Sequence, residues 1–351
     1  MYKSAIIRGS QKIASQNTRK WKFRNLHCYI QDASTILAPS SSQITLHHMK
    51  SLTLSCESYD NISPFLARFV LPPSAHFIVV CNAQEYGRVT WRNLVKHYIQ
   101  AVPSEIASSL SSTSLVDRAT LECAWFGHQG RYDFFLVGHR PDGIAVAKFG
   151  FAFCSEQDAQ RCEDPFSPQI TFLQTALRGA PLTHLTISAV SAELRYATVK
   201  CSEWPSLFRA FPALESLNIQ GCALAMAATL WDALTPEPEA PVPCPQLRSI
   251  FLLELRMYGH VTYHLSPSFL DDMVDALDAR LARGARLEKL HLQVDSNCYD
   301  EEKDRSRHTP LRDMYMSTLE TLADEVAYTL RIVEPVGPVS ITCSLYTHRL
   351  M

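Results

Sequence analysis

Leu182-Thr-His-Leu185-Thr-Ile187, Leu214-Glu-Ser-Leu217-Asn-Ile219, Leu247-Arg-Ser-Ile250-Phe-Leu252 and Leu287-Glu-Lys-Leu290-His-Leu292 share the pattern L-x-x-[LI]-x-[LI]. Their starts lie 32, 33 and 40 residues apart. In each, the last two apolar residues are two positions apart, as on one face of a strand, and the polar residues between them fall on the other face. Met49-Lys-Ser-Leu52-Thr-Leu54 reads as an earlier copy, and His76-Phe-Ile-Val-Val-Cys81 as a further strand outside the strict pattern.

The stretches between the hexamers carry one repeated helix signal. Ser63-Pro64, Ser167-Pro168, Ser266-Pro267 and Thr309-Pro310 each precede an apolar-periodic run. A hydroxyl can cap the first amides there, and proline at the first helical position loses no hydrogen bond. Leu270, Met273, Val274, Leu277 and Leu281 run at helical spacing before Gly284; Phe172, Leu173, Ala176 and Leu177 do so before Gly179. Trp204-Pro205 opens a shorter helix that ends near Pro212, and a helix over 310–330 with a strand near 339–344 is expected to cover the carboxyl end. The unit is strand, loop, helix, glycine, next strand, so parallel strands joined by helical crossovers follow. A leucine-rich repeat is such a unit with a shorter period, 20–29 residues. The expected fold is therefore α/β: a leucine-rich-repeat-like solenoid, a curved parallel sheet with helices on its outer face. Tyr132–Val137 and Ile144–Phe153 flank the turn signal Gly138-His-Arg-Pro-Asp-Gly143 and predict an irregular β-hairpin insertion, or two lengthened strands of the same sheet. Prolines 236, 238, 241, 243 and 245 mark a surface loop inside the array.

Composition narrows the function. The 351 residues are 46% hydrophobic, too apolar for a disordered chain. Glycine is scarce, 12 residues against an average near 7%, which argues against folds built on several glycine-rich nucleotide loops. A formal net charge of −2 gives no global case for nucleic acid or a membrane surface, and no apolar run is long enough for a membrane-crossing helix. Eleven cysteines without CxxC spacing suggest a reducing, cytoplasmic or nuclear setting and buried thiols. Residues 1–31 hold seven basic residues and no acidic one, which leaves 26 basic and 35 acidic residues in the remainder. That amino end resembles a mitochondrial transit peptide, the alternative address. Residues 1–45 are expected to be poorly ordered or the stub of a longer chain, and 46–351 to form one repeat domain.

Neither a nucleophile elbow, a zinc-binding H-E-x-x-H, a P-loop nor a dinucleotide fingerprint occurs, and the thirteen histidines show no metal-ligand spacing. No cofactor or metal is expected. The chemistry-neutral reading is a binding surface: His184, Thr186 and Ser188, then Ser216, Asn218 and Gln220, then Ser249, Phe251 and Leu253, then Lys289, His291 and Gln293 line the strand face. Phe251 and Leu253 either form its apolar centre or pack beneath the proline loop or the long insertions. The alternative class is an enzyme whose site is built from loops at one rim of the array.

Phe211-Pro-Ala-Leu-Glu-Ser-Leu-Asn-Ile219, Cys244-Pro-Gln-Leu-Arg-Ser-Ile250 and Gly284-Ala-Arg-Leu-Glu-Lys-Leu-His-Leu292 resemble the repeats of fungal F-box proteins with leucine-rich-repeat-like tails, and Ser63-Pro-Phe-Leu-Ala-Arg-Phe-Val-Leu-Pro-Pro73 is similar to the same family. The likeness spans roughly residues 45–345. It implies a substrate receptor of an SCF-type ubiquitin ligase, with an unknown protein substrate on the repeats. The chain departs from the family in having no F-box ahead of the repeats, so a Skp1-type adaptor is implied only where an F-box lies upstream.

Overall fold

A computed structural model describes residues 6–9, 25–30, 44–45, 47–56, 69–72, 75–83, 113–126, 131–154, 167–189, 202–221, 224–256, 267–296 and 313–332. The strands are Ile6–Gly9 (β1), Asn25–Ile30 (β2), Ile44–Thr45 (β3), Ser51–Cys56 (β4), Phe69–Val70 (β5), His76–Ala83 (β6), Arg118–Phe126 (β7), Arg131–His139 (β8), Ala145–Cys154 (β9), His184–Ala189 (β10), Ser216–Gln220 (β11), Ser249–Arg256 (β12), Leu287–Ser296 (β13) and Ala323–Ile332 (β14). The helices are Ser167–Ala176 (α1), Glu203–Ala210 (α2), Leu224–Leu234 (α3), Pro267–Leu281 (α4) and 313–322 (α5).

Among the described residues, twelve strands form one sheet in the order β1-β2-β4-β6-β9-β8-β7-β10-β11-β12-β13-β14; β3 and β5 pair separately. All neighbours in the large sheet are parallel except at β1 and at β8, which runs against both β7 and β9. The four hexamers are side by side and in register. Leu185 faces Leu217, Leu217 faces Ile250 and Ile250 faces Leu290; Ile187, Ile219, Leu252 and Leu292 form the next rung. All eight are at most 2% exposed and belong to one hydrophobic cluster with the inner faces of the helices. Burying one such side chain contributes roughly 1.5–3 kcal/mol. Leu217→Ala, at the centre of its rung, is expected to cost about 2–5 kcal/mol in urea unfolding.

The strand starts repeat a second feature. The carbonyl of Asp117 accepts the amides of both Thr183 and His184, at 2.7 and 3.0 Å. Thr183 does the same for Glu215 and Ser216, Glu215 for Arg248 and Ser249, and Arg248 for Glu288 and Lys289, all within 3.0 Å. β10, β11, β12 and β13 thus enter the sheet by the same backbone arrangement.

The helices lie beside one another in chain order on the face of the buried rungs. Gln174 on α1 donates to Ser206 Oγ on α2, Trp204 Nε1 on α2 donates to Thr229 Oγ1 on α3, and Trp231 on α3 meets Phe269 on α4 edge-on. Tyr315 on α5 donates to Asp271 on α4 at 2.5 Å, and that bond, with burial and the carboxylate charge, raises the phenol pKa. Gly179 and Gly284 end α1 and α4 with φ of +79° and +76°, as the helix–glycine–hexamer order predicts. None of the described helices is long and apolar enough to cross a membrane.

Four expectations need correction or extension. The hairpin around Gly138–Gly143 exists, but β7 joins it, so the insertion is a three-stranded antiparallel meander. The meander enters the sheet in reverse order, with β9 beside β6 and β7 beside β10. The last helix stops at 322 rather than 330. Ala323 starts a strand at once, because Val326 and Tyr328 alternate toward the core and pair with Leu290 and Leu292. The apolar run Leu224–Leu234 is a helix with no counterpart in the sequence reading. Within the basic amino end, the backbones of β1 and β2 join the sheet beside β4. The segment after Ser63-Pro64 and the strand expected near 339–344 lie outside the described residues.

Candidate protein-interaction surface

Alternation along β10–β13 turns one set of side chains to the helices and the other to the opposite face. That second set is the group predicted to bind, and the structure assembles it into rungs. His184, Ser216, Ser249 and Lys289 form the first; Thr186, Asn218, Phe251 and His291 the second; Ser188, Gln220 and Leu253 the third. Lys289 is exposed and the others are half-buried. The Phe251 and His291 rings meet edge-on with centroids 6.3 Å apart, the favoured geometry for such a pair.

Gln293 stands apart from the third rung. Register between β12 and β13 is lost after Leu252 and resumes at Leu255 opposite Val294, so Leu253 and Glu254 together oppose Gln293. Glu254 has a φ of +52°, the backbone signature of this bulge. Gln293 instead pairs with Thr329 on β14 and donates to Asp295 Oδ1 at 3.4 Å.

The proline loop is fastened to the helix layer rather than over Phe251 and Leu253. Arg283 donates to the carbonyls of Glu237, Pro238 and Ala240. Arg280, 0% exposed, donates to those of Pro243, Cys244 and Leu247. Cys244 sits in this clasp with a φ of +47°, its thiol 3.5 Å from the Leu214 carbonyl. Burial pushes that thiol up to about 12 despite the nearby Arg280 charge. The thiolate is the reactive form, so Cys244 is expected to resist iodoacetamide at pH 8 in the native protein and to react in urea. Peptide mass mapping reads this directly, and rapid native labelling would contradict the burial.

Sequence reasoning missed Asp133 and Asp295, 1% and 3% exposed, which share the parity of this face: Asp295 lies near the carboxyl end of β13, and Asp133, near the amino end of the reversed β8, stands opposite Ala124 toward the carboxyl end of β7. Strand alternation places them there, but burial of acids has no local sequence signal. His47 and His48 are exposed, and among the described residues no group of histidine, cysteine, aspartate and glutamate could hold a metal ion.

Fold and surface together define an α/β protein with a mostly parallel sheet, covered by helices on one face and carrying polar and aromatic rungs on the other. The chain matches no protein-family model, no curated protein and no solved structure.

Proposed function

We propose that this chain is a non-catalytic protein-interaction scaffold with leucine-rich-repeat-like solenoid architecture, and that the face bearing Phe251, His291 and Asn218 receives a protein partner. In this reading it is the substrate-recognition part of an SCF-type ubiquitin ligase in the cytoplasm or nucleus, and a Skp1-type adaptor joins it where an F-box lies upstream. The observation that carries the proposal is the asymmetry of the sheet. One side-chain parity is sealed by helices, while the other presents hydroxyls, amides, imidazoles and one aromatic ring on evenly spaced, rigid strands. Rigid strands lose little entropy on binding, and polar residues around a central aromatic are the usual make-up of a recognition patch. The strand–helix–glycine unit and the hexamers shared with fungal F-box repeats support the ligase role.

The test is quantitative affinity capture with the full chain and with a Phe251→Glu/Asn218→Arg variant. Proteins held by this face are expected to fall by about tenfold or more in the variant, the effect of losing roughly 1.4 kcal/mol at one hot spot. Thermal unfolding should be little changed, because both positions lie outside the helix-covered core. An unchanged set of captured proteins would remove the proposal.

A further inference from the structure

The face opposite the helices carries few charges, and all but one of those described are answered within the chain. Arg118 lies 3.8 Å from Asp117, and Lys289 lies 3.1 Å from Glu325. Gln293 donates to Asp295, and Asp133, Glu254 and Lys148 each have partners of their own. Glu122 is the exception. Among the described carboxylate, ammonium and guanidinium groups of this face, it alone has neither a hydrogen bond nor an ion pair.

Its surroundings follow from β7. Leu121 and Cys123, on either side of it, are 0% exposed and point toward the helices, while Glu122 is half-buried on the other face. Register sets it opposite Phe135 on β8 and Ser188 on β10. Phe135 is 8% exposed, and its ring lies so close to Gly150 that a carbon added to that glycine would meet it at 3.1 Å. The ring is thus a fixed apolar wall beside the carboxylate. Ser188 makes no hydrogen bond to Glu122. Lys148, two strands away on β9, has its Nζ 5.7 Å from the centre of the Phe135 ring and makes no ion pair with Glu122.

While the face is open, water solvates the exposed part of this carboxylate. A partner over the face removes that water, and a carboxylate buried without a donor or counter-charge is strongly unfavourable. Glu122 lies two strands across and two residues along from Asn218, about 12 Å at 4.8 Å per strand and 3.3 Å per residue. A protein interface covers roughly 800 Å² on each side, a patch about 16 Å in radius. A partner centred on Asn218 and Phe251 therefore reaches Glu122. No described group of the chain is placed to compensate, so the donor has to come from the partner.

We infer that the protein partner of this face presents a lysine or arginine to Glu122, its charged end on the carboxylate and its carbon stem against Phe135. This rests on the scaffold reading and names the side chain the partner must carry at that point. A neutral residue leaves the carboxylate dry and unpaired, and an acidic one adds repulsion, so the position discriminates between partners as well as binding one.

The experiment selects a phage-displayed library of random heptapeptides on the immobilised full chain. The recovered peptides are remade with fluorescein and read by anisotropy. They are expected to share a lysine or arginine at one position. Glu122→Gln, which keeps the size of the side chain, should weaken them about tenfold with unfolding temperature unchanged. Glu122→Lys should prefer the same peptides with glutamate in place of the basic residue. That reversal separates a contact at Glu122 from a general attraction between basic peptide and acidic protein, and Glu122→Gln decides where Glu122→Lys fails to fold. Recovery of no peptide, peptides without a shared basic residue, full binding by Glu122→Gln, or a folded Glu122→Lys without the reversal overturns the inference. If Glu122→Gln binds fully while Phe251→Glu/Asn218→Arg loses the peptides, this inference falls and the scaffold stands; if neither variant alters peptide binding or protein capture, both fall.

Discussion

Gly221→Ala is expected to be among the most destabilising single substitutions in the described chain, costing about 3–5 kcal/mol in urea unfolding. Gly221 follows β11 with a φ of +68°, and a Cβ there would lie 2.3 Å from the carbonyl oxygen of Ala189 at the end of β10. Both groups are backbone, so no side chain can rotate away, and the end of one strand has to move. The Gly221 amide also donates to the Leu253 carbonyl, tying the ends of β11 and β12 together. Gly284→Ala is the control. Its φ is +76°, but nothing lies within 4 Å of the added carbon, so only the left-handed backbone cost of roughly 1–2 kcal/mol is expected. If both variants lose the same stability, the close approach of Gly221 to Ala189 is not a constraint.

Arg280→Met is expected to cost about 2–4 kcal/mol and to free the proline loop. The guanidinium serves the carbonyls of Pro243, Cys244 and Leu247, while its Nε has no hydrogen-bond partner. Burial lowers its pKa from the ordinary value, the mark of an unfavourable desolvation that the carbonyls offset in part. Methionine fills similar space and removes the buried charge, which relieves desolvation, but takes their donor from the carbonyls of Pro243 and Leu247 at about 1–3 kcal/mol each, while the Cys244 carbonyl keeps the Leu247 amide. The net is therefore a loss, smaller than a count of hydrogen bonds suggests. Limited digestion with a glutamate-specific protease gives a local readout: cleavage after Glu239 should appear in Arg280→Met well below the unfolding midpoint. Unchanged stability together with an uncut loop would show that Arg283 alone holds it.

Some of the fold was legible because it is written in short-range patterns. Each hexamer carries its own alternation, so it specifies which residues face the core and which face away. Gly179 and Gly284 mark helix ends because the left-handed backbone they adopt is a local requirement. The predicted surface residues other than Gln293 came together for the same reason, since alternation in four aligned strands permits few other arrangements, and the bulge at Leu253–Glu254 that sets Gln293 apart has no sequence signal. The departures have local causes too. The helical periodicity through Leu311–Leu322 runs on to Val326, and that one coincidence hid the switch to the β alternation of Val326 and Tyr328. Leu224–Leu234 is apolar on nearly every side, so it offered no periodicity to read.

The sequence by itself determined that strands of hexamer type alternate with helices, and which face of each strand is buried. Only the tertiary structure decided the neighbours of the β7–β8–β9 meander and the clasp of Arg280 on carbonyls 33 to 37 residues away. The reason is range. Alternation and capping are settled within a few residues, whereas strand order and side-chain meetings depend on which distant surfaces bury best against each other, and no local pattern records that competition.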